Sequence, residues 1–182
     1  LVRGNNNISV VTEFRLNRKG ICMSSYDDDA VYVAAMNCLQ DRGVTIDDLV
    51  DLVIFLQAEY YPDLTRADFV KPVRKVLRKR EVQNAILTGI QIDRRSEHSI
   101  LNEPLQTMVA NDEGLYGCDE ILALSIVNTN YGYIDKVKPG ILKKLDNKGD
   151  GQVHTFLDDI IGAIAAAASA SLAHSQGGVG DE

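Results

Sequence analysis

An all-α fold, one multihelical domain of about seven to eight helices with a Gly/Ala-rich helix near its C-terminal end, is what this 182-residue sequence predicts. Three observations point there. From Tyr26 onward apolar residues recur at three- and four-residue intervals, the spacing of a helix face. Thr45 and Thr65 each stand three residues ahead of an aspartate, Asp48 and Asp68, which is the pattern of a reciprocal helix cap. The composition is 45% hydrophobic with 6% aromatic residues and 4 prolines, so helix formers dominate and one core can be buried.

Taken in order, residues 1–25 stand apart. LVRGNNNISVVTEFRLNRKGICM carries an Asn run, leans basic and has no helical period, so it reads as a leader, of cloning origin or weakly ordered. Residues 26–175 form the helical domain, and 176–182 a flexible tail. The first helix runs from Tyr26 to Asp41 with Val31, Ala34, Ala35, Cys38 and Leu39 inward, and Arg42-Gly43 ends it. The second starts at Thr45, buries Ile46, Leu49, Val50, Val53, Ile54 and Leu56, and stops at Tyr60-Tyr61-Pro62. The third starts at Thr65, and Pro72 within it should bend it or mark its true start. A fourth, Lys79 to Arg95, turns Val82, Ala85, Ile86, Gly89, Ile90 and Ile92 inward. Its Gln83, Asn84 and Gln91 either satisfy neighbouring backbone or, for Asn84 and Gln91, line a polar site. A short helix follows Glu103-Pro104 and should reach Ala110. Glu120 opens another, apolar from Ile121 to Val127, and Pro139 a further one. The last begins at Thr155 as cap, and its Gly162, Ala163, Ala165 to Ala168 and Ala170 leave room for a neighbouring helix to approach. That small-residue face also suits a homo-oligomer.

Charge and cysteine usage exclude several classes. A net charge of −7 argues against a nucleic-acid surface, which needs clustered cations. The basic run VRKVLRKR, Val73 to Arg80, reads as a solvated helix face. Cys22, Cys38 and Cys118 are too widely spaced for a zinc site or disulfide framework, which suits a reducing cytoplasm. No run is long enough to span a bilayer, so membrane contact is expected to be peripheral at most, at its inner face.

The chemistry-bearing stretch is Asp112 to Asp159. Carboxylates fall where helices begin or turn, at Asp112, Asp119, Glu120, Asp135, Asp146, Asp158 and Asp159, each beside apolar sequence. Acids held against a core need protons or cations. A hard divalent ion such as Mg²⁺, which takes oxygen ligands and bridges to phosphate, would serve several at once. Lys136 and Lys138 follow Asp135 directly and could meet a phosphate as point charges. Asp112 and Asp119, seven residues apart, would share a face if one helix held both, but Gly114 and Gly117 between them favour a bend. Acids such as Asp158 in a first helical turn are also ordinary dipole partners; the doublets Asp119-Glu120 and Asp158-Asp159 go beyond that role. A stretch from Asp146 to Leu157, DNKGDGQVHTFL, imitates a calcium loop but has Leu157 where the bidentate Glu should stand, so it reads as a Gly-rich turn.

The pattern D-x-G-x-x-x-x-D-E at Asp112, Gly114, Asp119 and Glu120, then I-D-x-x-K-P at Ile134 to Pro139, then L-D-D-I-I-G-A at Leu157 to Ala163 resembles the phosphatidylglycerophosphatase A family. Residues 44 to 100, with GVTIDDL and KREVQNAILTGIQID, look like its soluble Gram-positive branch, which includes proteins described as low-temperature requirement C. Unlike the membrane-bound members, the chain has Gly132 in place of an Arg, and less sequence between Glu120 and Asp135. The resemblance implies an all-helical, Mg²⁺-dependent phosphatase that takes the terminal phosphate from phosphatidylglycerophosphate. Its implied ligands are Asp119, Glu120, Asp135 and Asp159, with Asp112 and Asp158 as further candidates and Lys138 on the phosphate. His154 is a candidate proton donor to the leaving group, or simply structural. A phosphatase of a soluble ester and a non-catalytic metal-binding or regulatory protein of the same family are the alternatives.

Overall fold

The C-terminal segment Leu157–Gly177 forms the longest helix among the described residues, and five of the other helices pack directly on it. In this computed structural model the described residues are 11–16, 22–127, 140–145 and 151–177. The helices, in chain order, are α1 (Asp28–Asp41), α2 (Ile46–Gln57), α3 (Arg66–Leu77), α4 (Arg80–Glu97), α5 (Leu105–Asn111), α6 (Cys118–Leu124), α7 (Ile141–Leu145) and α8 (Leu157–Gly177). The domain is helical, as expected. Ahead of it lies a feature not anticipated: an antiparallel hairpin of β1 (Val11–Leu16) and β2 (Cys22–Tyr26), pairing Phe14 with Ser24 and Leu16 with Cys22. The sequence Val11–Leu16 is rich in β-branched and aromatic residues and places Phe14 and Leu16 two apart, a strand signal that a search for helical period passes over.

Helix α8 is central because it is apolar all round. Leu157, Ile160, Ile161, Ala163, Ile164, Ala165 and Ala168 are all fully buried, too many consecutive positions for one face. It touches α2, α3, α4, α6 and α7. The small residues make these approaches possible, and on the α4 side Gly89 does the same. A Cβ there would stand 2.5 Å from Ile160 Cδ1 and 2.9 Å from Phe156 Cβ.

Local signals set the helix starts on α2 and α3. Thr45 and Asp48 form the reciprocal cap, with Thr45 N–H donating to Asp48 Oδ2 at 2.8 Å and Asp48 N–H to Thr45 Oγ1 at 3.2 Å. Thr65 and Asp68 repeat the arrangement. Because that cap fixes the start of α3 at Arg66, Pro72 is an interior, buried residue and not the first of the helix. In α4, Gln83 is buried and its amide donates to Leu77 O, satisfying the end of α3, while Asn84 and Gln91 are exposed.

The bend expected between Asp112 and Asp119 is present: Asp112 closes α5 in the left-handed region at φ 53°, and Gly117 at φ 70° precedes α6, which opens at Cys118 and not, as expected, at Glu120. A second helix start is also corrected. Thr155 does not cap α8. Its hydroxyl donates to Val109 O at 2.7 Å, and the first N–H groups of α8 go to a side chain from α4.

Candidate metal centre

Two helix starts meet to make the site. Asp119 and Glu120 occupy the first turn of α6, Asp159 the first turn of α8, and the two helices pack together. One carboxylate oxygen from each of Asp119, Glu120 and Asp159 lies within 4.8 Å of the other two. Asp119 is 5% exposed, and its Oδ1, like Glu120 Oε2, is buried with no hydrogen-bond partner among the described residues. Orphaned buried carboxylate oxygens carry a penalty unless a proton or cation meets them. Burial first, then the neighbouring Glu120 and Asp159 carboxylates, push the Asp119 carboxyl up to about 7. The donor set is oxygen only, which fits a hard cation of the Mg²⁺ or Ca²⁺ kind and not a thiophilic one.

The remaining candidates divide. Asp158 Oδ1 accepts the Asp159 N–H at 2.9 Å, so Asp158 braces the turn that presents Asp159. Asp158 and Asp112 border a separate cavity of about 220 Å³, shared with His154 and Thr155. His154 Nδ1 sits 3.3 Å from Arg42 Nη2. Asp135 and Lys138 lie outside the described residues, as does Asp146 with the first part of the calcium-loop-like stretch.

Beneath the acids lies a polar clamp that sequence reading missed. Asp93 on α4 is fully buried and accepts N–H bonds from Phe156 and Leu157, both at 3.1 Å, replacing a local cap at the start of α8. Burial pushes its carboxyl up to about 8, against the opposing pull of those two N–H groups and of Arg42. One turn further along α4, Glu97 Oε1 accepts from Val153 N–H at 2.8 Å and from Arg42 Nη1 at 2.6 Å. Arg42 also donates to Val153 O, so both polar backbone groups of that residue are held. Together these bonds fix the approach to α8, and with it Asp158 and Asp159. The available signal was a charged residue in the apolar stripe: Asp93 continues the inward series Val82, Ile86 and Ile90.

Tyr116 borders the same place. Its ring meets Phe156 edge-on, with centroids 5.8 Å apart and planes at 79°. Burial, then Cys118, Asp119 and Asp93 nearby, raise its phenol.

This arrangement can hold one divalent cation between two helices and present it beside a cavity. A family model described as phosphatidylglycerophosphatase A matches residues 35–174. The Bacillus subtilis (strain 168) protein YutG, described as uncharacterized, is 59% identical over 143 residues, which is 75% of this chain and 86% of that one. Among solved structures, the low temperature requirement C protein from Listeria monocytogenes superposes with a TM-score of 0.80 at 57% identity, covering 83% of this chain and 99% of its own. Protein ypjQ from Bacillus subtilis does so with a TM-score of 0.80 at 45% identity, covering 85% and 99%. With most of its length matched by that family model and by these relatives, the chain belongs to the phosphatidylglycerophosphatase A family, on the Gram-positive branch that includes the Listeria protein.

Proposed function

We propose that the protein is a Mg²⁺-dependent phosphatase that hydrolyses a phosphate monoester, with phosphatidylglycerophosphate, converted to phosphatidylglycerol, as its substrate. The observation that carries this reading is the convergence of Asp119, Glu120 and Asp159, with two orphaned buried oxygens, in a chain of this family. Asp119, Glu120 and Asp159 hold the cation. In this reading Asp135 is a further ligand and Lys138 takes a phosphate oxygen. Asp112 and Asp158 stand at the adjoining cavity, where they can orient water. A Mg²⁺ ion held by these residues would supply positive charge to the phosphate oxygens and a more acidic water. The protein's own part is placement: Asp93 and Glu97 hold the start of α8 so that Asp159 meets α6 without reorganisation. Below about pH 7 the Asp119 carboxyl carries a proton, which a cation held there would have to displace.

The test is phosphate release from phosphatidylglycerophosphate in mixed micelles, with and without Mg²⁺, alongside a soluble phosphate monoester. Metal-dependent release from the lipid is the expected result. Turnover of the soluble ester alone would move the substrate assignment, and no turnover of either would leave a metal-binding protein without catalysis.

A further inference from the structure

We propose that the surface from Leu115 along α6 to the cleft between α3 and α8 docks the protein on an anionic bilayer. The proposal rests on the reading of a lipid phosphate monoester as substrate, and adds where the protein meets the lipid. Leu115 is 94% exposed, Ile121 68% and Leu124 52%. Single exposed apolar residues are ordinary, but these three fall within one ten-residue segment at three- and six-residue spacing. Ile121 and Leu124 share the outer face of α6, while Asp119 and Ala123 on its inner face are buried.

Just past α6, Ile126 and Val127 line a cleft of about 560 Å³ against Val76 and the small residues of α8, with Lys75 and Lys79 on its rim. The chain carries −7, and its surface arginines are mostly matched: Arg66 faces Asp47 and Asp51, Arg78 faces Asp29, Arg80 faces Asp28 and Arg94 faces Asp41. Among the described residues no carboxylate pairs with Lys75 or Lys79, and Lys71 continues their stripe one turn back. Unmatched cations over an apolar floor complement an anionic headgroup with its acyl chains below. Helix α6 is about 10 Å long at 1.5 Å per residue. Asp119 and Glu120 open α6 and the cleft-lining Ile126 and Val127 follow its end, so the candidate site and the basic cleft flank the same short helix. In this arrangement the cleft takes an anionic headgroup beside the exposed Ile121 and Leu124.

The experiment is co-sedimentation of the full chain with vesicles of phosphatidylcholine alone or mixed with phosphatidylglycerol, at low and high salt. The wild type should prefer the mixed vesicles and release on raising the salt. Lys75→Ala/Lys79→Ala should lower that binding about thirtyfold, the effect of two cations at such a surface. Ile121→Ser/Leu124→Ser should weaken binding while leaving the salt dependence in place. Both variants should keep wild-type Mg²⁺-dependent hydrolysis of a soluble phosphate ester where the wild type shows it, which also reports that they are folded. Equal binding to neutral and anionic vesicles, or variants that bind like the wild type, overturns the proposal. So does sedimentation equilibrium showing a dimer that Ile121→Ser/Leu124→Ser dissociates, since a second copy would then own this face. If no ester is hydrolysed by any form, the reading of the centre fails, and the vesicle comparison still decides the surface.

Discussion

Asp119 is where the chemistry of the site is concentrated. Its carboxyl is raised to about 7 from an ordinary 3.8, by burial and by Glu120 and Asp159. The folded protein without metal therefore keeps a proton that the unfolded chain releases near pH 4. Stability from this group is full below that point and is lost as the pH rises through about 7. In chelator, wild type should lose thermal stability between pH 5 and 8, and Asp119→Asn should lose less. The flattening is partial because Asp93, raised to about 8, acts with the same sign and remains. Melting temperatures of both proteins at several pH values check this; parallel curves would show that Asp119 titrates normally. The same proton competes with the cation, so the dissociation constant for Mg²⁺ should rise about tenfold for each pH unit below 7, measurable by calorimetry. Asp119, Glu120 and Asp159 were legible in the sequence because acidic doublets at helix starts beside apolar runs are a local anomaly. Asp93 was not singled out, since its meaning depends on backbone more than sixty residues away.

At the scale of elements, one edge of α4 decides where α8 begins. Gly89, Asp93 and Glu97 are spaced four apart, so they form a single ridge. Gly89 admits Ile160 and Phe156, Asp93 takes the first N–H groups of α8, and Glu97 takes the N–H of Val153 on the approach to it. Gly89→Ala would gain helix propensity, but the new methyl meets Phe156 Cβ, which lies close to the backbone and cannot swing aside. A net loss of about 1 to 3 kcal/mol is expected in denaturant unfolding, the usual consequence of overpacking. Asp93→Ala leaves two buried N–H groups without acceptors, at about 1 to 3 kcal/mol apiece, offset in part because the buried carboxylate no longer has to be accommodated. Calorimetry should show it binding Mg²⁺ more weakly than wild type while Asp93→Asn, which keeps one acceptor oxygen, lies between them. Unchanged affinity in Asp93→Ala would mean the clamp is structural only. The caps at Thr45 and Thr65 could be read in advance because donor and acceptor lie three residues apart. Thr155 carried the same local sign, and there a tertiary contact won: its hydroxyl was recruited by Val109 and its capping role passed to Asp93. The hairpin was missed for a different reason, a two-residue alternation in a segment searched for helical period.

For the whole molecule, the acidic cluster and the fold are one thermodynamic system. Two helices that each bury apolar faces also bring three carboxylates within 4.8 Å, so folding without a cation works against their mutual repulsion. A ligand that binds only the folded state adds stability as its concentration exceeds its dissociation constant, about 2.7 kcal/mol at a hundredfold excess. Mg²⁺ at that level should therefore raise the melting temperature of the wild type by several degrees, about 2 to 4 °C per kcal/mol for a domain of this size. Asp119→Asn should behave oppositely in the two conditions. Without metal at pH 8 it should melt at or above the wild type, because one charge has left the cluster; with Mg²⁺ it should gain far less. The measurement is a pair of thermal melts for each protein, in chelator and in millimolar Mg²⁺ at matched ionic strength. A wild type indifferent to Mg²⁺, or an Asp119→Asn variant that shifts as far as the wild type, would mean that these acids act as separate helix-start charges and that the two helices meet for packing alone.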